Sequence, residues 1–151
     1  RAWDFNHAYH QSYRDALDYL ENTVVKANGY VIAIMNQRIL LPYSSSRYEL
    51  IKAIRDNNSV GKDTPNIIPF VMQESLKDLI RKDPDLSPLT RCDIQSIEGL
   101  DINGQSDMII KRVVTQLMTP GSIKVLADNL SKGTYANPNP KEADFLYGLL
   151  L

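Results

Sequence analysis

The sequence predicts a mostly α-helical single domain, a bundle of about six helices, and three observations carry that expectation. Apolar residues recur at three- and four-residue steps along most of the chain, the spacing that gathers them on one helix face. The stretches between are rich in Pro, Gly, Ser and Asn, which interrupt helices and build turns. Asn36-Gln37, the step where a tight hairpin could form, lacks the glycine that such a turn prefers. With 151 residues the chain can bury a core without metal or disulfide support. It is expected to form one domain over 1–151, either a mature form or a piece of something longer.

The first helix is expected from Asp4 to about Asn28. Ala8, Tyr9, Tyr13, Ala16, Leu17, Leu20 and Val24 share a face, while Arg14, Asp15, Asp18 and Glu21 fall mostly opposite. Asp4 or Asn6 supplies the N-cap. Two readings exist for Gly29–Pro42. In the preferred one the helix continues through Gly29 to about Gln37. In the other, Asn28-Gly29 ends it, and a short hairpin within 31–41 pairs Val31–Met35 with Arg38–Leu41. The continued helix is preferred because Asn36-Gln37 lacks the glycine that tolerates positive φ.

Ser45 or Ser46 caps the next helix, with Glu49 three residues after Ser46 as a capping box requires. Tyr48, Leu50, Ile51 and Ile54 supply its apolar face to about Asp56. Asn57–Pro65 is turn chemistry, and Thr64-Pro65 suits an N-cap followed by proline. Ile67, Ile68, Val71, Met72, Ser75, Leu76, Leu79 and Ile80 then form a helical stripe ending before Pro84. The segment 83–104, carrying Pro84, Pro88, Gly99 and Gly104, is expected to be irregular. Arg91–Ile97 has strand character there but lacks a partner strand after it. Ser106 caps a helix with Ile109, Ile110, Val113, Val114, Leu117 and Met118, stopped by Pro120. Pro120 or Gly121 opens another, through Ile123, Val125, Leu126 and Leu130 to Gly133. Asn137–Pro140 is a connector, and Asn139-Pro140 begins the last helix. Leu149–Leu151 is expected to dock on the core, and Arg1 points to a processed or trimmed start.

Function classes are narrowed by subtraction. The chain has 17 basic and 18 acidic residues, so it lacks the basic excess of a phosphate-gripping nucleic-acid binder. No apolar run approaches the roughly 20 residues that span a bilayer. One cysteine cannot close an internal disulfide or build a Cys-rich metal site. His7 and His10 share a helix face, with Asp4 placed as a third ligand, but Arg14 on that face repels a cation. Arg91 next to Cys92 would stabilise a thiolate, yet a histidine base is not near in sequence, so a structural cysteine is the reading kept. Ser44–Ser46 lack a nucleophile elbow. Asp101–Asp107 begins like a calcium loop, but its twelfth position is Arg112. Gly61-Lys62 lacks the rest of a phosphate loop. Asn57-Asn58-Ser59 and Asn129-Leu130-Ser131 match the glycosylation sequon. Neither a cofactor nor a metal is implied.

The tyrosines are more informative. Eight Tyr stand against three Phe and one Trp. Trp3, Phe5, Tyr9, Tyr13 and Tyr19 gather at the N-terminal end, as a protein-binding surface that is wet alone and buried in a complex would require. The competing reading makes them the edge of a helical core.

Residues 27–80 resemble the Rap/Tai immunity proteins of type VI secretion systems. The match is of layout: Gly29-Tyr30-Val31 inside a long helix, Pro42 opening a loop, the Leu50–Ile54 helix, then Pro69 and an apolar helix through Leu79. That family carries disulfide-forming cysteines around this core, and this chain has other residues there. The resemblance implies a small helical periplasmic protein that binds and blocks a toxin, with no catalytic residues to transfer. The sequence-level expectation is therefore a non-enzymatic protein-binding module of immunity, exclusion or adaptor type. Its partner would be another protein, such as a toxin or secretion-system component, met through Trp3–Tyr19 or the Asn57–Pro65 loop. The alternatives are a small hydrolase or ligand-binding domain using Cys92 or His7/His10, and a structural domain of a larger assembly. One cysteine fits a cytosol and a periplasm alike, and export is slightly favoured.

Overall fold

The computed structural model describes residues 17–18, 20–58, 63–131 and 146–148. The chain is mostly helical, but two segments expected to be helical are strands of a small parallel sheet. It divides into two compact units, one of Gly29–Gly99 and one of the described parts of Phe5–Asn28 and Leu100–Leu151.

The first unit is built on β1 (Val31–Met35), β2 (Ile67–Val71) and β3 (Gln95–Ser96), parallel and in sequence order. β1 pairs with β2 from Val31↔Ile67 to Met35↔Val71, and β3 joins at Phe70↔Gln95 and Val71↔Ser96. Two helices make the crossovers, α1 (Ser45–Asp56) and α2 (Leu76–Lys82). Successive crossovers of one hand, stepping the same way across a sheet, put both helices on the same face. Leu50 and Ile54 of α1 and Leu76 and Ile80 of α2 accordingly share one buried cluster with Ala33, Met35, Ile67 and Val71. Ile32, Ile68 and Phe70, on the opposite face, are buried as well.

That double burial explains why the helical reading fails. A strand covered on both faces is a continuous apolar run rather than an alternating one. Val-Ile-Ala-Ile-Met and Ile-Ile-Pro-Phe-Val are such runs, rich in side chains that favour a pleated backbone. The first helical segment does not continue to Gln37: Gly29, at φ +72°, turns the chain out of it. The hairpin reading places Val31–Met35 correctly as a strand, but its partner is β2. Gln37–Leu40 instead winds into a 3-10 turn whose N-cap is Asn36, accepting the Arg38 N–H at 2.9 Å. The Ile67–Ile80 stripe is helical only from Leu76.

The segment 83–104 is more ordered than expected. Ser87–Cys92 is a 3-10 helix, and Asp93 (φ 56°, ψ 78°) swings the chain into β3, whose partner is the preceding β2. A non-glycine residue in this left-handed region carries a steric cost. Asp93→Gly is therefore expected to stabilise the protein by up to about 1 kcal/mol, read as a rise in the urea midpoint. A fall would show that the Asp93 side chain contributes more than its backbone costs.

In the second unit, the Leu20–Val25 turn is π-wound, with the Lys26 N–H reaching the Glu21 carbonyl at 3.1 Å, and it packs on α3 (Ile102–Leu117). α3 is capped by Asp101, whose Oδ1 accepts the Gly104 N–H at 2.7 Å. Ser106, expected as the cap, lies inside the helix, buried, with its hydroxyl donating to the Ile102 carbonyl at 3.0 Å. Ile109, Ile110, Val113 and Val114 form the buried stripe of α3. α4 (Pro120–Ser131) buries Ile123, Leu126 and Ala127. Leu146 is fully buried, and the Tyr147 hydroxyl donates to Asp128. The expectations for Gly133, Asn137–Pro140 and Leu149–Leu151 fall outside the described residues.

Candidate functional site

The corner between β1 and α1 combines a rigid backbone with exposed aromatic surface. After the 3-10 turn the Leu41 N–H bonds to the Arg38 carbonyl at 3.1 Å, and the Ser44 N–H to the Leu41 carbonyl at 3.2 Å. Ser44 locks both sides: its hydroxyl donates to the Arg38 carbonyl at 2.5 Å and accepts the Arg47 N–H at 3.1 Å. The serine triplet thus supplies the cap expected of it, though from Ser44 rather than Ser45 or Ser46.

Arg47 anchors this corner to the segment after α2. Its guanidinium donates to the Ile39 carbonyl at 3.0 Å, to both Asp83 oxygens at 2.6 and 3.1 Å, and to Asp85 at 3.2 Å. Bidentate geometry of this kind is the strong form of an ion pair. The side chains of Arg47 and Asp83 are only 14% and 16% exposed. The Arg47 hydrogen bond holds the Asp83 carboxyl below the usual carboxylate range against the opposing pull of burial. Asp83, in turn, raises the Arg47 pKa.

On this frame Leu41, Tyr43 and Tyr48 stand in solvent, 56%, 99% and 68% exposed. Tyr48 was expected on the apolar face of its helix. It points away because Leu50 and Ile54 set the buried stripe, and position 48 lies well round the helix from both. Tyr43 and Leu41 were not singled out by the sequence. The signal was there in Pro42-Tyr43-Ser44: a large side chain between a turn and a helix cap has no core to face.

The carboxyl ends of the strands, where parallel sheets commonly hold ligands, are built differently. The loop after β1 has no glycine, and the Asn36 side chain is already spent on the Arg38 N–H, so it is not a phosphate cradle. Glu98 accepts the Glu74 N–H at 3.0 Å and ties the ends of β2 and β3 together. No group of three His, Cys, Asp or Glu among the described residues could hold a metal ion.

The remaining sequence candidates separate cleanly. Trp3, Phe5, Tyr9, Tyr13, Tyr19, His7 and His10 lie outside the described residues. Cys92 is half-buried at the end of its 3-10 helix, with its thiol donating to the Pro65 carbonyl at 3.5 Å. Arg91, the cation beside it in sequence, donates to the Asp63 carbonyl at 2.6 Å. Asp101 and Gln105 are engaged at the start of α3, Gln105 donating to the Leu100 carbonyl at 3.1 Å, so the calcium-like stretch is a capped helix. Asn57 is the C-cap of α1, its amide donating to the Ala53 carbonyl at 2.9 Å. No helix among the described residues is long and apolar enough to cross a membrane.

No family model, curated protein or solved structure matches the chain. The helical layout behind the Rap/Tai resemblance is also altered here, because Val31 begins β1 and Pro69 lies within β2.

Proposed function

We propose that this chain is a non-enzymatic protein-binding module that docks a partner protein on the Leu41–Tyr43–Tyr48 corner. The observation that carries the reading is the near-complete exposure of Tyr43 on a backbone held by Ser44 and Arg47. A tyrosine presents an apolar ring and a polar tip, so it tolerates water alone and gains by burial in a complex. Burying two such rings and a leucine would contribute several kcal/mol, at about 25 cal/mol per Å² of apolar surface. Because the backbone is already fixed, little ordering entropy offsets that gain. An immunity-type or adaptor role is one form such binding would take.

A photo-crosslinking residue placed at Tyr43 tests this in the source cells. We expect a discrete protein adduct that disappears when Leu41→Ala and Tyr48→Ala are added, and that a probe at Lys111, exposed on α3, does not produce. Identical adducts from both probe positions, or none from Tyr43, would overturn the reading.

A further inference from the structure

The sequence contains two Asn-Gly steps, Asn28-Gly29 and Asn103-Gly104. Such steps are chemically labile, because an unbranched glycine lets its backbone nitrogen reach the asparagine side-chain carbonyl. All of these residues but Gly104 are exposed, so access to water does not separate the two steps. Their backbones do. Asn103-Gly104 lies in the first turn of α3, and the Gly104 N–H is already donated to the Asp101 carboxylate at 2.7 Å. Attack requires that N–H to lose its proton beside a negative charge, and the helical turn to open. Asn28-Gly29 lies past the end of the Leu20–Val25 turn, where Gly29 adopts φ +72° and the chain leaves the helix for β1. The Asn28 side chain is held there by one hydrogen bond, donated to the Val24 carbonyl at 2.7 Å.

We infer that Asn28 is a site of spontaneous deamidation, with water as the co-reactant, and that Asn103 in the folded protein is not. The Gly29 nitrogen bonds to Asn28 Cγ while the Cγ–Nδ2 bond breaks. Nδ2 leaves as ammonia, taking up the proton that the Gly29 nitrogen loses. Water then opens the cyclic imide at one carbonyl or the other, giving aspartate or isoaspartate. Either product replaces a donor with a carboxylate, so the bond to the Val24 carbonyl is lost. A negative charge then faces the carbonyl end of a helical segment, an unfavourable pairing. Isoaspartate also lengthens the main chain by one carbon just before β1.

Tryptic peptides separate the sites, since Ala27–Arg38 and Cys92–Lys111 each contain one Asn-Gly step. After incubation of the folded protein in mildly alkaline buffer, the amide-to-acid mass change is expected in Ala27–Arg38 at least about tenfold faster than in Cys92–Lys111, because α3 must open locally first. In urea the two rates should converge. Fragmentation should place the change at Asn28, Asn28→Ala should abolish it, and Asn28→Asp should lower the thermal midpoint. Equal rates in the folded protein, or a change located at Asn36, would overturn the inference.

Discussion

Arg47→Ala is expected to destabilise the protein by roughly 2–4 kcal/mol and to flatten its acid unfolding limb. The substitution strands two acceptors at once: the Asp83 carboxylate loses both of its guanidinium bonds, and the Ile39 carbonyl loses its donor. Because the Arg47 and Asp83 side chains are mostly buried, water cannot fully replace those bonds. The pH dependence follows from the same contact. Asp83 is held below its ordinary carboxylate value first by the Arg47 hydrogen bond, with help from the backbone N–H groups of Asp85 and Leu86. A carboxyl whose folded pKa lies below its unfolded one binds fewer protons when folded. The stability it contributes is complete above the unfolded value, near about 4, and disappears as pH falls through the folded value. Urea unfolding across an acidic pH series should show that loss in the wild type, and a shallower one in Arg47→Ala and Asp83→Asn. Arg47→Lys should recover only part of the stability, because an ammonium cannot bridge both carboxylate oxygens and the Ile39 carbonyl in one plane. An Arg47→Ala variant within about 0.5 kcal/mol of wild type would show the cluster to be an ordinary surface ion pair.

The features legible in the sequence are those set by local chemistry. The end of α1 at Asp56, the start of α4 at Pro120 and the buried stripe of α3 follow from prolines, turn residues and helical spacing, because such signals act within a turn or two. Caps were misplaced by a residue or more at Ser44 and Asp101 where several candidates stood close together. What the sequence did not disclose is non-local. β1 finds its partner in a strand beginning at Ile67, and β2 finds its second partner at Gln95. A five-residue apolar run does not announce whether its neighbours are one helical turn away or a crossover away. The exposed aromatic corner was obscured for a related reason. Tyr48 falls among apolar residues by spacing alone, and only the choice of Leu50 and Ile54 as the buried pair turns it outward. The Arg47–Asp83 contact joins residues from two crossovers and has no local signature.

Pro69 is the residue that most strongly argues against a strand, since proline is rare inside sheets, and it sits in the middle of the central one. Hydrogen-bond parity explains its place. The Met72 N–H reaches the Met35 carbonyl and the Asn66 carbonyl accepts the Val31 N–H, so even-numbered residues of this stretch bond toward β1. The Val71 carbonyl accepts the Ile97 N–H, so odd-numbered residues bond toward β3. Pro69 therefore directs its missing N–H to the side where β3 pairs only from Phe70 onward. Moving the proline by one residue should be ruinous. Ile68→Ala is expected to cost about 2–5 kcal/mol through the lost side chain alone. Ile68→Pro should cost roughly 3 kcal/mol more, because it deletes an N–H aimed at β1 and sets a ring against that neighbour. In the same background Pro69→Ala should stay within about 1 kcal/mol, as no ladder bond depends on that nitrogen. Circular dichroism and urea midpoints of the three variants decide the matter. If Ile68→Pro is no worse than Ile68→Ala, or if Pro69→Ala unfolds the chain, the parity account of the central strand is wrong.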